Sequence, residues 1–321
     1  MLLVSSITPS GRAWAIESAR STLPGARVVN ALDLAGGAWD LAESFGILEA
    51  NLRSSDVVGA LGSFRDAAMM LASVAQVSSS SDDVIVVFPG SVTSAMCDLR
   101  TLAVLEEVGA ASGGLGAMGL GLQELVQGIE AGDVEWLLAC PPEESALRDA
   151  TIEIAVGLAC GVRIRGVAIC PMPRKSDGWP KSLRASARER VEQSEHAFHP
   201  VPVRAAKRGV APSFIDDEGH HETPTVSQVG EGQWVWSVTL PGMSAAQIAV
   251  GTWTSDPTYP CTHVVIRLDR WTIHRPVNTT LRRCEAVEAV TSGDSLAVTF
   301  VADAQHWPQV DEDLRERGDD E

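Results

Sequence analysis

Leu2-Leu-Val-Ser-Ser-Ile-Thr-Pro-Ser-Gly-Arg-Ala13 opens the chain as a strand, a loop and the start of a helix. Leu2–Ser6 is a short apolar run of strand length, and Gly11–Thr22 reads as the helix after it. A phosphate-binding loop in that frame places Gly, four free residues, Gly, Lys and then Ser or Thr. Gly11 is kept, but Ser6 stands at the first Gly, Arg12 at the Lys and Ala13 at the hydroxyl. The frame is that of a nucleotide-driven α/β protein, and the side chains in it are not.

Outward from this stretch, strands and helices alternate. Ala26–Asn30 is a second short strand, and Val84–Val87 is a continuous apolar run after the polar Ser78-Ser-Ser-Ser-Asp-Asp83. Val134–Cys140 and Val162–Cys170 are further strands. Glu143–Leu158 lies between them as a helix, preceded by Pro141-Pro142 as its start signal. Residues 51–76 and 98–132 also carry helical spacing. This alternation predicts a mainly parallel sheet flanked by helices.

The pattern changes near residue 211. Ala211–Gly232 is polar and has no clear period. Beyond it the period becomes two: Trp234, Trp236, Val238 and Leu240 face one way, and Leu296, Val298 and Phe300 repeat the pattern. With Val264–Leu268 and Trp271–His274, these predict a small all-β sandwich. The expected division is an α/β domain over 1–212, a polar linker over 213–229, a β-sandwich over 230–307 and an acidic tail over 308–321.

Bulk composition narrows the function classes. The chain has 321 residues, 45% hydrophobic, with a formal net charge of −17. Such a chain can bury a sizeable core, and its charge repels nucleic acid and anionic membrane surfaces. No apolar run reaches the roughly 18 residues that span a bilayer. Met1-Leu-Leu-Val4 lacks the basic flank of a leader and is expected to be the first strand. The six cysteines, Cys97, Cys140, Cys160, Cys170, Cys261 and Cys284, form no Cys-x-x-Cys pair. They are expected to be reduced, buried thiols of a cytoplasmic protein.

Several short motifs allow a functional and a structural reading. Gly114-Leu-Gly-Ala-Met-Gly119 matches Gly-x-Gly-x-x-Gly without a preceding strand, which favours a packed helix–loop segment over dinucleotide binding. Glu218-Gly-His-His-Glu222 has metal-ligand chemistry but sits in a polar stretch, where a solvated loop is the default. His196 and His199, with Glu195 beside them, read as surface histidines near a helix end. Trp234, Trp236, Trp253 and Trp271 gather in the β region, as core or as an exposed aromatic face.

In this order the two halves resemble the ArsA-type family of arsenite-efflux and tail-anchored-protein-targeting ATPases. Many bacterial members of that family carry a C-terminal domain similar to the small heat-shock fold. The resemblance rests on Trp236-Ser-Val-Thr-Leu-Pro-Gly-Met243, Leu281-Arg-Arg-Cys284 and Gly293-Asp-Ser-Leu-Ala-Val-Thr-Phe300. It also rests on the run from Val134 to Arg208, with Cys140-Pro-Pro-Glu143, Trp179 and Val201-Pro-Val203 in family order. It implies a P-loop NTPase-like sheet and a relict nucleotide site at Ser10, Gly11, Arg12, Ala13 and Asp33, the last handling the attacking water.

The same resemblance expects an Asp after Val84–Val87, where Phe88-Pro-Gly-Ser91 stands, and an adenine-reading Asn within 162–190, which holds none. Losing the Mg²⁺ ligand, the acid and the Lys together costs several orders of magnitude in phosphoryl transfer. The leading expectation is therefore a non-hydrolysing subunit, with no cofactor assigned, that pairs with an active ArsA-like paralogue or with itself. The alternatives are a weak ATPase that binds ATP and Mg²⁺ through Gly11 and Arg12, and a holdase-like binder of hydrophobic segments.

Overall fold

The structure, a computed structural model, describes residues 1–31, 83–109, 117–172 and 178–307. Strand β1 (Leu2–Ser6) lies inside a six-stranded sheet with β2 (Arg27–Asn30), β3 (Val84–Val87), β4 (Glu135–Cys140), β5 (Arg163–Ile169) and β6 (Val203–Ala205). The order is β2-β3-β1-β4-β5-β6, and every neighbouring pair is parallel. The α/β expectation therefore holds for a mainly parallel sheet with helices.

The apolar runs are continuous because both faces of the sheet are covered. Leu2, Val4, Ile85, Val87, Leu137 and Ala139 pack on one face with Ala15 and Ala19 of α1 (Arg12–Thr22) and with Phe214. Leu3, Val84, Val86, Trp136 and Leu138 point to the other face. That face is covered by α2 (Val92–Gly109), α3 (Ala117–Ala131) and α4 (Glu144–Ala159), while α5 (Lys181–Ala197) adds Val191 at the side of β6.

Two antiparallel sheets follow. One has the order β12-β13-β8-β7, formed by β7 (Thr225–Gly230), β8 (Gln233–Thr239), β12 (Cys284–Ser292) and β13 (Ser295–Ala302). The other is β11-β10-β9, formed by β9 (Ile248–Trp253), β10 (His263–Leu268) and β11 (Trp271–Pro276). The period of two behaves as read: Trp234, Trp236 and Val238 are buried opposite Phe300, Val298 and Leu296. Leu240-Pro-Gly-Met243 closes a turn in which the Met243 N–H donates to the Leu240 carbonyl. Gly242, at φ +67°, supplies the left-handed residue that such a turn requires.

The stretch 213–229 differs from the expected linker. Phe214 is fully buried beneath the sheet, the Ser18 hydroxyl bonds the Pro212 carbonyl, and Ile164 and His220 exchange backbone hydrogen bonds. Thr225–Gly230 is an edge strand, so the antiparallel region begins before residue 230. Its period is hard to read because almost all of its side chains are exposed and polarity does not alternate. One apolar core runs from the parallel sheet through α2 and α4 into the two antiparallel sheets, so the two halves are packed together. The predicted helix over 51–76 and the acidic tail over 308–321 lie outside the described residues.

Phe214 also explains Gly166. A Cβ at that position would sit within the Phe214 ring. Gly166→Ala is expected to cost about 1–3 kcal/mol through overpacking, read as a lowered denaturant midpoint. A thermal and urea midpoint equal to the parent's would refute this contact.

Candidate functional site

The chain runs from β1 through α1 to β2 on one side of the sheet. It returns as β3 and then crosses to β4 on the other side. Such a reversal parts the loops at the carboxyl ends of the strands, where open α/β sheets hold ligands. A cleft of about 610 Å³ lies there. Ser6–Pro9 and Arg12 line it from the first loop, Phe88–Ser91 from the loop after β3, and Asp149 and Glu153 from α4.

The first loop closes on itself. The Ser6 hydroxyl donates to the Thr8 carbonyl at 2.6 Å and accepts the Thr8 N–H at 3.3 Å. The Ile7 N–H donates to Ala139, the Gly11 N–H to Thr8 and the Arg12 N–H to Pro9, while Pro9 has no N–H. Gly11 is buried, and a Cβ there would collide with the Ser6 hydroxyl. An anion cradle needs those N–H groups turned outward together; here they are committed to protein carbonyls and to Ser6.

The residues that the resemblance would place in a nucleotide site are scattered in role. Arg12 donates from Nη2 to Asn30 Oδ1 at 3.3 Å, so its fork is drawn to the end of β2. The Ser10 hydroxyl pairs with that of Thr8 at 3.2 Å. Ala13 is exposed on the first turn of α1 and offers no oxygen. Asp33 lies outside the described residues. This set does not fit Mg²⁺-ATP as the resemblance would arrange it, since the hydroxyl ligand is missing and the loop donors are occupied.

A carboxyl does stand by the loop after β3, but it comes from α4. Glu153 Oε2 accepts from Ser91 Oγ at 2.6 Å and from Thr93 Oγ1 at 2.5 Å, and the two hydroxyls also contact each other. Burial pushes the Glu153 carboxyl above its ordinary value, while the hydroxyls and the charge of Arg270 oppose that rise. Arg270 belongs to the two-residue β10–β11 turn, where Asp269 has φ +52°. The Arg270 guanidinium lies 4.7 Å from the Trp271 ring centre, and Asp269, Arg270 and Trp271 all line the cleft. A hairpin of the three-stranded antiparallel sheet thus forms one wall of the crevice of the parallel sheet.

Glu153 was the residue that motif reading passed over. Its signal was a charge between Ile152 and Ile154, in a helix whose residues Glu153–Ala159 are all buried. The other candidates are structural. His220 faces Glu222 at 3.2 Å, whereas His221 turns to the Gly161 carbonyl at 3.0 Å. Among the described residues no group of three His, Cys, Asp or Glu is arranged to hold a metal ion. Trp234 and Trp236 are buried, and Trp253 and Trp271 half-buried, so the tryptophans fill the core rather than form an open face. Residues 114–116 of the glycine motif lie outside the described residues, and Ala117 opens α3.

All six cysteines are buried and free. No helix among the described residues is long and apolar enough to cross a membrane. No protein-family model matches the chain, and no curated protein matches it.

Proposed function

We propose that this chain is a non-hydrolysing binding or regulatory subunit on an ArsA-like, P-loop-like scaffold, pairing with an active paralogue or with itself. The observation that carries the reading is the first loop, whose N–H groups at Ile7, Thr8, Gly11 and Arg12 already have partners inside the protein. Ala13 adds no metal ligand, and the Asp269–Trp271 turn takes up one side of the crevice where a triphosphate would otherwise lie. A scaffold of this kind retains its shape and its surfaces while lacking the groups that stabilise a transferring phosphoryl.

Calorimetry with Mg²⁺-ATP, joined to a phosphate-release assay, tests this reading. The expected result is no binding tighter than about 1 mM, equivalent to about 4 kcal/mol, and no turnover above buffer. Pull-down from the source cell is expected to recover a relative with an intact phosphate loop, or a second copy of this chain. Micromolar binding with turnover abolished by Arg12→Ala would replace the proposal with the weak-ATPase reading.

A further inference from the structure

At the junction of the two halves, away from the cleft, lie two thiols and two arginines. Cys97 on α2 and Cys160 at the end of α4 bring their sulfurs to 3.9 Å, and both are buried. Arg100 is fully engaged: Nε and Nη2 donate to the Cys160 carbonyl at 3.1 and 2.6 Å, and Nη1 pairs with Glu130 at 2.6 Å. Arg275 of β11 is 5% exposed and is wedged against Gly161, where any side chain would strike its Nη1. Its Nε and Nη1 have no hydrogen-bond partner.

A buried cation without a counter-charge is strongly unfavourable. Three groups that can carry negative charge favour the Arg275 cation: Glu130, Cys160 and Glu222. Glu130 is bonded to Arg100, and Glu222 is held by His220 and the Thr239 N–H. Cys160 is the group left to balance it. The Cys97 S–H bond lowers the Cys160 thiol and, aided by Arg100 and Arg275, outweighs the burial that opposes it. The same bond and burial push Cys97 well above its ordinary value. Burial alone makes a thiol inert; here a second thiol is in contact, and the guanidinium groups of Arg100 and Arg275 flank the Cys160–Gly161 backbone.

We propose that Cys97 and Cys160 are a peroxide-oxidised dithiol that holds the sandwich on the α/β layer when reduced and loosens it when oxidised. In the first step the Cys160 thiolate attacks a peroxide oxygen and the O–O bond breaks. This leaves sulfenic acid on Cys160 and releases hydroxide. In the second step the Cys97 sulfur attacks the Cys160 sulfur as its proton leaves with the departing hydroxide as water. The balance is one thiolate, one thiol and one hydrogen peroxide giving one disulfide, one water and one hydroxide; the thiols lose two electrons and peroxide gains them. The sulfurs close from 3.9 Å to about 2.05 Å. Oxidation removes the counter-charge of Arg275, and Arg275 lies on the strand that packs against α2 and begins at the cleft turn.

The test uses the full chain and graded hydrogen peroxide, with peptide mass spectrometry of each cysteine and amide exchange of residues 263–276. The Cys97–Cys160 disulfide is expected to form at least tenfold faster than any oxidation of Cys140, Cys170, Cys261 or Cys284, whose thiols burial pushes up. Exchange in β11 is expected to rise at least tenfold after oxidation and to revert with dithiothreitol. In Cys97→Ser, a dimedone adduct should collect on Cys160; in Arg275→Met, oxidation of Cys160 should slow at least tenfold. Equal rates at all six cysteines in the parent protein would overturn the proposal without recourse to any variant. So would disulfide formation with unchanged β11 exchange.

Discussion

Trp136→Ala is expected to lower stability by about 3–5 kcal/mol. Trp136 is fully buried in β4, and its ring lies against Gly157 of α4, where a Cβ would come within 2.7 Å of it. Its indole N–H donates to Ser5 Oγ at 2.9 Å, tying β4 to β1 across the centre of the sheet. Removing the ring opens a cavity between sheet and helix and leaves a buried hydroxyl without its partner. Urea unfolding should show a lower midpoint with an unchanged slope. Trp136→Phe keeps most of the volume and should cost about 1–2 kcal/mol, chiefly the lost hydrogen bond. Equal midpoints for the alanine variant and the parent would mean that α4 does not rest on this ring.

Acid is expected to weaken the protein between about pH 6.5 and pH 4 through the histidines at the sandwich–helix junction. His263 is buried; desolvation, with the neighbouring His274 and Arg282, lowers it to about 4. Burial also lowers His274, whose Nδ1 has no hydrogen-bond partner. The unfolded chain takes up these protons near pH 6.5 and the folded chain does not. The stabilising contribution is therefore whole above that value and is lost as pH falls through the folded value. For His263 alone the contribution amounts to as much as roughly 3 kcal/mol. Glu222, held low mainly by His220 and the Thr239 N–H against burial, adds to the loss in the same direction. Glu153, whose burial raises it, opposes the loss. Denaturant midpoints measured from pH 7.5 to 4 should fall for the parent and fall less steeply for His263→Gln. Parallel curves would show that His263 carries no such contribution.

The junction accounts for why these effects gather where they do. His263, Arg275 and the Asp269–Trp271 turn all belong to the β10–β11 hairpin. One side of that hairpin meets α2, where the His263 ring lies 3.7 Å from the Glu107 carboxylate; the Ser255 hydroxyl, from the loop before β10, donates to the same carboxylate at 2.8 Å. Its turn meets the cleft beside Glu153. A proton on His263 or a disulfide at Cys160 would therefore act on an element that also walls the crevice.

Much of the architecture was legible in local pattern. Val84–Val87 reads as a strand because a parallel sheet covered on both faces permits only apolar residues there. Trp234-Val-Trp-Ser-Val238 reads as a strand because alternate side chains must leave water. Thr225–Gly230 and Ile248–Trp253 did not stand out, since edge strands keep most of their side chains in solvent and leave no polarity alternation. The departure of the first loop from a phosphate-loop pattern was readable in Ser6, Arg12 and Ala13. That the loop also turns its N–H groups inward was not, because this depends on the Ser6 hydroxyl and on Ala139 of β4.

Residue order along the chain thus determines most of the strands and helices and the absence of a phosphate-loop pattern, since periodicity, turn residues and side-chain type act over a few neighbours. It does not disclose that Glu153 meets Ser91 across 62 positions, that Arg270 walls the crevice, or that Arg275 wedges against Gly161. Those juxtapositions arise when the antiparallel sheets pack onto α2 and α4, because burial and charge pairing depend on distance in space and not on distance along the chain.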